Sequence, residues 1–249
     1  MVGLPHISQA SSLDCGPTCV RMLSTRILGE DPGRARAVEE SGLLQGKVCT
    51  TLCLVVGLAR LSGPSATLLF CSTAIEFNLE NMKQEFYQQF NASSVKQSQS
   101  QLKEARERAV RVEERLAPLR ELKGWLNAST AEQPQYLLCL LDWNVVRAFW
   151  ATAAKADGCI PCFASTLCGG GGRRADGGED AASYSGHFII VYACRDGGFD
   201  YHDPSESSGG SHMREDVFEK ARLAAGTDAD VVFVRCNSSS RRSSEESGR

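Results

Sequence analysis

The chain has 249 residues, of which 42% are hydrophobic and 23% are charged, a balance that suits a globular protein with a sizeable core. Its formal net charge of −3 argues against nucleic acid as the main partner, because phosphate binding requires clustered, excess Lys and Arg. No apolar run reaches the roughly 18–20 residues of a membrane span and the N-terminus lacks a signal pattern, so we expect a soluble cytoplasmic protein, with the nucleus as a further location and no membrane partner.

The first predicted element is a helix that carries a cysteine in its first turn. Apolar residues recur at helical spacing from Cys19 to Leu28, and Pro17 is of the type favoured where a helix begins. Cys15 therefore lies where unpaired backbone N–H groups meet the positive end of the helix dipole. A thiol in that position ionises at lower pH, and the thiolate is the nucleophile. Only 14 residues precede Cys15, too few for a folded pro-segment, so we expect no zymogen-type cover.

Helices and one strand are predicted next. After a break at 29–33, residues 34–40 predict a short helix, and the apolar run 48–61 is long enough for a buried helix. A strand is predicted over 66–71 and a helix over 76–126, restarting at its proline. The apolar stripe of that last helix consists of Leu102, Ala105, Ala109, Val112, Leu116 and Leu119. The stripe either packs on the protein's own core or forms a coiled coil with a partner; core packing is favoured, because a coiled coil needs about three to four heptads.

The middle of the chain predicts one buried strand and one disordered insertion. Residues 135–141 form a short apolar run that predicts the strand. From about 166 to 185 the composition shifts to Gly, Arg, Asp and Ala, which cannot bury enough apolar area to become ordered. The insertion does not match a phosphate-binding loop, because it lacks the fixed glycine spacing and the following Lys-Ser or Lys-Thr.

Cysteines are numerous, and three of them cluster near the start of this insertion. The chain has eleven, an odd count without a secretory signal, so we expect reduced thiols rather than a disulfide framework. Cys159 and Cys162 form a Cys-x-x-Cys pair, which supplies half of a tetrahedral zinc site. Cys168 with either Cys139 or Cys194 could complete a structural zinc site. The alternative is a set of reduced thiols in a loop.

Two extended runs, 186–194 and 199–204, flank a glycine-bearing turn and predict a β-hairpin. With a three-residue loop, Asp203 lies opposite Ile189, and His187 and Asp203 become diagonal neighbours on one face. A two-residue turn would shift the parity and place them on opposite faces. Contact between the two side chains therefore requires either the odd-length loop or a bulge.

The last predicted elements are a helix over 216–225, a strand over 231–234 and a disordered tail over 237–249. We therefore expect a single domain over 1–236 that carries the Gly-rich insertion.

The hairpin supplies two of the groups that a cysteine hydrolase needs. Such an enzyme requires a base near the thiol, a group that orients the base, and donors for the developing oxyanion. His187 could act as the base for Cys15, and Asp203 could orient it. The alternative for His187 is a histidine that merely starts a buried strand. The other histidines, which are less well placed, are His6, His202 and His212.

Four short motifs together resemble the papain-like fold of bacteriocin-processing peptidases that act on double-glycine leaders: Gln9, Asp14-Cys15-Gly16, Gly186-His187-Phe188 and Asp203-Pro204. The resemblance implies an α+β fold in which a helical half, led by the cysteine helix, packs on an antiparallel sheet. It also implies that a glutamine six residues before the cysteine helps to form the oxyanion hole. An Asp or Asn some sixteen residues after the histidine orients that histidine, and the intervals here are six and sixteen.

A second resemblance is closer and covers residues 4–234. The segment 186–191 with Asp203-Pro204, and the ending 218–234, are similar to the eukaryotic guanylyl cyclase domain-containing family, which includes the plant soluble guanylyl cyclase-like proteins. The family name implies conversion of GTP to cyclic GMP with Mg²⁺ or Mn²⁺. Nucleotide cyclases generally hold two metal ions with carboxylates. Asp228 and Asp230 flank the start of the last strand and could hold one ion, but a polar turn that caps this strand is the favoured role for them. Asp142 and Asp203 could serve as metal ligands only if Asp203 did not orient His187.

Three hypotheses follow. The favoured one is a papain-like thiol hydrolase of peptide, isopeptide or amide bonds that needs no cofactor and acts on a peptide or protein substrate. Its nucleophile is Cys15, its base is His187, its orienting group is Asp203, and Gln9 helps to stabilise the oxyanion. The second is a guanylyl cyclase. The third is an inactive papain-like module that binds a protein partner in its cleft.

Overall fold

The computed structural model describes residues 3–42, 49–75, 78, 81, 92–156 and 184–237. In this part of the chain the structure is mixed α+β, with a seven-stranded sheet and seven helices. The helices are α1 (Cys15–Leu28), α2 (Arg34–Ser41), α3 (Thr51–Ser62), α4 (Ala92–Glu107), α5 (Leu119–Asn127), α6 (Trp143–Ala156) and α7 (Glu215–Arg222). The strands are β1 (Ala66–Ser72), β2 (Arg111–Glu114), β3 (Gln135–Asp142), β4 (Gly186–Arg195), β5 (Gly198–His202), β6 (Ser211–Arg214) and β7 (Val231–Cys236).

The sheet has the order β2-β1-β7-β3-β4-β5-β6, and its pairs are antiparallel except β1 with β2. Helices cover both faces. The first core packs α1, α3 and α4 on one face, and the second packs α5, α6 and α7 on the other. Residues 135–141 are all buried, which is why they read as an unbroken apolar run instead of an alternating one. We expected a helical half packed on the sheet. The structure has a helical layer on each face, so the expectation accounts for only one of the two layers.

The helix predicted over 76–126 is wrong in its middle. Helix α4 ends at Glu107, and Ala109 adopts a left-handed conformation with φ of 59°, which a helix cannot continue through. Val112 then lies in β2 and pairs with Phe70 of β1. The residues of the apolar stripe are therefore divided among two helices, a strand and the segments that connect them, so they cannot form a continuous coiled-coil face. Most of 76–91 lies outside the described residues.

The hairpin reaches its register by the second of the two predicted routes. Its loop has two residues, Asp196–Gly197, with φ of 51° and 70°, the pattern of a type I′ turn. The predicted three-residue loop is therefore not formed. A register shift between Val191 and Ala193 inserts one extra residue in β4, as a bulge does. Beyond it Ile190 pairs with His202, so Asp203 follows at the next position. The extra residue in β4 therefore compensates for the two-residue turn and places His187 and Asp203 on the same face of the hairpin.

Strand β6 was not predicted, because its four residues follow a Ser/Gly-rich stretch that reads as a loop. It adds an edge strand to β5 and contains His212. Cys159, Cys162 and Cys168, residues 166–183 of the predicted insertion, and the tail 238–249 lie outside the described residues. No helix in the described ranges is long and apolar enough to cross a membrane.

Candidate active site

Cys15 is the first residue of α1 and is 8% exposed. Helix α1 can lie close to α3 because position 16 is glycine. A Cβ added to Gly16 would come within 2.7 Å of Cys49 Sγ and 2.9 Å of Leu54 Cδ1, closer than real Cβ contacts. The glycine after the cysteine thus lets the start of α1 sit deep in the first core.

Helix α1 is also joined to the strand that carries the histidine. The Cys19 thiol donates to the backbone carbonyl of Phe188 at 3.5 Å. His187, one residue earlier, is the second residue of β4 and pairs with Leu141 of β3. The two elements thereby bring His187 close enough to Cys15 for each side chain to shift the pKa of the other, although the two residues lie 172 positions apart in the sequence.

Asp203 forms a hydrogen bond with the His187 ring. Nε2 of His187 donates to Oδ1 of Asp203 at 2.7 Å, which leaves Nδ1 as the ring nitrogen available to Cys15. The same Oδ1 accepts from the backbone N–H and the hydroxyl of Ser205, both at 2.7 Å. Asp203 is 1% exposed, so the carboxylate is held rigidly and shielded from water.

An aromatic ring shields this histidine. Trp143, the first residue of α6, lies with its ring centroid 4.5 Å from that of His187. It follows β3 directly, so the pairing of β3 with β4 places it beside the histidine. Nothing in the sequence signals this contact, because it depends on strand register and not on local spacing.

The electrostatics favour a thiolate–imidazolium pair. Burial opposes ionisation of Cys15, but the hydrogen bond and charge of His187 outweigh it, so the pKa of Cys15 is lowered. Burial also disfavours the imidazolium, yet Asp203 and Cys15 together raise the pKa of His187 to about 9. The pKa of Asp203 is lowered, because His187 and Ser205 stabilise its charge more than burial penalises it. The protonated His187 ring thus stabilises the charged forms of Cys15 and Asp203, and they stabilise its charge in turn.

Cys15 differs in this respect from the thiols beside it. Burial raises the pKa of both Cys19 and Cys49 well above the ordinary thiol value, and neighbouring cysteines add to the effect. No histidine lowers the pKa of either thiol. The nucleophilic thiolate is therefore expected at Cys15 alone in this cluster.

Gln9 lies next to the loop that follows Asp203. Its backbone N–H donates to the carbonyl of Pro204 at 2.7 Å. Within the described part of the chain its Oε1 is buried and has no hydrogen-bond partner. The structure thus holds the Gln9 backbone beside the Asp203 loop and leaves the amide oxygen uncommitted.

The N-terminus of α1 has no side-chain cap, although Asp14 stands at the capping position. Its carboxylate is held instead by Arg34 at the start of α2, with Oδ2 2.8 Å from Nε and 2.6 Å from the terminal nitrogen. An aspartate at this position ordinarily accepts from N–H groups of the first turn. Pro17 has no N–H and the Thr18 N–H donates to the Asp14 backbone carbonyl, so the N–H groups of Cys15 and Gly16 are the ones left without an Asp14 side-chain cap.

Replacing Arg34 with glutamine is expected to slow alkylation of Cys15 by iodoacetamide at pH 6. The released Asp14 carboxylate would cap the first turn and add a negative charge beside the thiolate, an effect of about two- to fivefold in rate. The double variant Arg34→Gln with Asp14→Asn removes that charge and should recover the rate. Equal slowing in the single and double variants would contradict this role of Arg34.

The two candidate metal carboxylates do not form a metal site. Both oxygens of Asp228 accept from the amides of Asn78 and Asn81, at 2.7 and 2.8 Å. Burial raises the pKa of Asp230 to about 7, so burial disfavours the charged form that a metal ligand must adopt. No cluster of three or more His, Cys, Asp or Glu suited to a metal occurs among the residues that the structure describes. These residues therefore do not fit the two-metal arrangement of a cyclase.

Comparison with known proteins agrees with the closer of the two resemblances. A search of curated proteins gives no match. A family model described as guanylylate cyclase matches residues 4–234, a range that includes Gln9, Cys15, His187 and Asp203. The chain therefore belongs to this guanylylate cyclase family.

Proposed function

We propose that this chain is a thiol hydrolase of peptide, isopeptide or amide bonds with a papain-like fold and site. The observation that carries the proposal is the combination of Cys15 at the start of a helix, its electrostatic coupling to His187, and the hydrogen bond from His187 to Asp203. The chain order of glutamine, cysteine, histidine and aspartate is that of the papain-like resemblance. Cys15 and His187 are both buried, and each favours the charged form of the other, as nucleophilic catalysis by a thiolate requires.

The proposed reaction has two steps. The Cys15 thiolate attacks the substrate carbonyl carbon, and the negative charge that forms on the oxygen is stabilised by N–H groups at the start of α1 and by the Gln9 amide. His187 gives its proton to the leaving amine as the C–N bond breaks, which leaves a thioester on Cys15. Water then loses a proton to His187 and attacks the thioester, releasing the carboxylic acid and restoring the thiolate–imidazolium pair. Asp203 keeps the imidazole oriented throughout.

Guanylyl cyclase activity is the alternative that the family description suggests. It would require carboxylates that hold Mg²⁺ or Mn²⁺ against a triphosphate. The engagement of Asp228 with two asparagines and the raised pKa of Asp230 argue against that role for them. The hydrolase is supported by more residues than the cyclase.

The full chain with p-nitrophenyl acetate tests the proposal, because this ester acylates an activated thiol and releases a coloured product. We expect a burst of p-nitrophenol stoichiometric with protein, followed by slower turnover, and a labelled peptide that carries Cys15. The burst should vanish in Cys15→Ala and persist in Cys194→Ala, which removes a partly exposed thiol whose pKa burial raises. An identical loss in both variants, or a burst in Cys15→Ala, would overturn the proposal.

The same preparations distinguish the other hypotheses. Metal-dependent formation of cyclic GMP from GTP that persists in Cys15→Ala and is lost in Asp228→Ala would favour the cyclase. A protein that neither hydrolyses esters nor peptides, and whose partner binding is unchanged in Cys15→Ala, would favour the inactive binding module.

A further inference from the structure

Outside the site already described, the structure contains a second buried histidine with both ring nitrogens engaged. His202 ends β5 and is 9% exposed. Its Nε2 donates to the backbone carbonyl of Leu4 at 3.2 Å, and its Nδ1 accepts from the backbone N–H of Gly210 at 3.1 Å. This pair of bonds requires the neutral ring with the proton on Nε2, because the charged ring has no acceptor nitrogen.

His202 stands between the two segments that flank the site. Leu4 belongs to the N-terminal segment 3–9, which ends at Gln9, and Gly210 belongs to the loop 203–210, which begins at Asp203. The rings of His6 and Tyr192 pack on His202, with centroid distances of 5.2 and 4.8 Å. We define these contacts as the histidine clasp.

Three further bonds run between the same two segments. His6 Nε2 and the Ser8 hydroxyl both donate to the carbonyl of Glu206, at 3.0 and 2.8 Å, and the Gln9 N–H donates to Pro204. Every one of these bonds fixes the N-terminal segment to the loop, so the position of Gln9 depends on the loop's own anchorage. His202 is the group that bonds to both segments.

Glycine at position 209 lets the loop approach the histidines. A Cβ there would lie 2.6 Å from Cε1 of His202 and 2.8 Å from Cβ of His6. The adjacent Gly210 has φ of 93°, a conformation that side-chain-bearing residues rarely adopt. The close contact is therefore encoded in the glycines as well as in the histidine.

We propose that His202 is a positioning residue for Gln9: in its neutral form it joins segment 3–9 to loop 203–210 and so holds the Gln9 amide where the oxyanion forms. The inference rests on the proposed hydrolase function, since the role of Gln9 is part of it. His202 touches neither the thiol nor the substrate in this scheme. It acts through the segment that carries Gln9.

The surroundings of His202 favour the neutral ring. Burial lowers the pKa of His202, and the neighbouring His6 lowers it further, whereas the Leu4 carbonyl raises it. The titratable groups around the ring are His6 from the N-terminal segment and Tyr192 from β4. In the loop, the carboxylate of Asp203 is bonded to His187, and Glu206 contributes its backbone carbonyl to the clasp. Protonation at acidic pH would replace the acceptor for Gly210 with a donor and open the clasp.

The experiment compares two reactions of Cys15 in the full chain. Acylation by p-nitrophenyl acetate passes through an oxyanion, whereas alkylation by iodoacetamide is a displacement that forms none. His202→Phe retains a ring and loses both hydrogen bonds, so acylation should fall by about tenfold or more, toward the loss of a whole oxyanion donor, while alkylation is unchanged. His202→Gln offers both a donor and an acceptor and should retain most of the acylation rate at pH 7.

The pH profile and a double variant distinguish a positioning role for His202 from a purely structural one. The ratio of acylation to alkylation should fall toward acidic pH in the natural chain and stay flat in His202→Gln, which cannot titrate. Adding His202→Phe to Gln9→Ala should cause little further loss, because both changes remove the same donor. Effects that multiply, or acylation and alkylation that fall together, would overturn the proposal.

Hydrogen–deuterium exchange separates failure of this proposal from failure of the proposed function. Exchange at residues 4–9 should quicken in His202→Phe and remain slow in His202→Gln. If the natural chain shows no acylation, the hydrolase proposal fails while the exchange still tests the clasp. Unchanged exchange in His202→Phe would overturn the clasp whatever the activity.

Discussion

Alkylation of Cys15 by iodoacetamide at pH 6 is expected to slow about a hundredfold when His187 is replaced by alanine. His187 supplies the hydrogen bond and the charge that lower the pKa of this buried thiol. Without them only the smaller effects of the Phe188 and Gly16 backbone oppose burial at Cys15, and burial raises the pKa of the nearby Cys19 and Cys49. The loss of thiolate is only partly offset by the greater intrinsic nucleophilicity of a more basic thiol. Peptide mapping of the alkylated protein over time measures the rate at each cysteine.

The matched control is His212→Ala. His212 is also a histidine paired with an aspartate, since its Nδ1 donates to Asp200 Oδ1 at 2.8 Å, but it lies on the edge strand and 40% of its side chain is exposed. The rate at Cys15 should be unchanged in this variant. Equal slowing in both variants, or none in His187→Ala, would contradict the thiolate–imidazolium pair.

The pH dependence of the same reaction has a defined sign. Below the lowered pKa of Cys15 the thiol is protonated and the rate falls. Above a pH of about 9 His187 loses its proton, and the thiolate is no longer paired. Between these limits the rate should be nearly constant, whereas an ordinary thiol with a pKa near 8.5 gains about tenfold per pH unit over most of that range.

The second large effect concerns stability and comes from Asp230, the residue before β7. Burial raises the pKa of this carboxyl from 3.8 to about 7, and the Asp228 carboxylate adds to the shift, against the hydroxyl groups of Ser72 and Thr51. The folded state therefore keeps a proton that the unfolded chain loses. Each tenfold change in proton affinity is worth about 1.4 kcal/mol, so the free energy of unfolding carries up to roughly 4 kcal/mol from this group.

The sign determines the pH window. Because the folded pKa is raised, this contribution is fully present below a pH of about 4 and is lost as the pH rises through 7. Asp230→Asn keeps the shape without the charge, so its free energy of unfolding should lack this fall. Urea denaturation at a series of pH values measures the difference between the two proteins.

Asp216→Asn serves as the control, because Asp216 is an exposed aspartate in α7 whose side chain is 63% accessible and pairs with Arg214. Its pH dependence should follow that of the natural chain. A curve for Asp230→Asn that runs parallel to the natural one between pH 4 and 7 would contradict a buried, protonated Asp230.

Several parts of the fold and site were predictable because their signals are local. Helix α1 follows from its apolar spacing and from Pro17, and the extended runs of the hairpin follow from their apolar residues and the glycines between them. The family follows from short motifs whose match spans residues 4–234. For each of these features the determining residues lie within a few positions of one another, or in motifs that can be compared directly.

Strand β2 and the second layer of helices were not predictable in this way. Val112 continues a helical stripe in sequence, yet it lies in a strand because β1 offers it a pairing edge. The same apolar residue suits either structure, so the partner decides. The uniform burial of 135–141 was readable as a strand, but the helices that cover its second face come from distant segments.

The sequence by itself determined which residue types are available for the site and how far apart they are along the chain: Cys15 at the start of a helix, and His187 and Asp203 on one hairpin. Only the tertiary structure decided that they meet, because a bulge at 191–193 sets the parity of the hairpin and the packing of α1 on β4 sets the distance. The contacts of Arg34 with Asp14, of Trp143 with His187 and of His202 with Leu4 likewise arise from packing between separate elements. Such contacts leave no periodic or spaced pattern in the sequence.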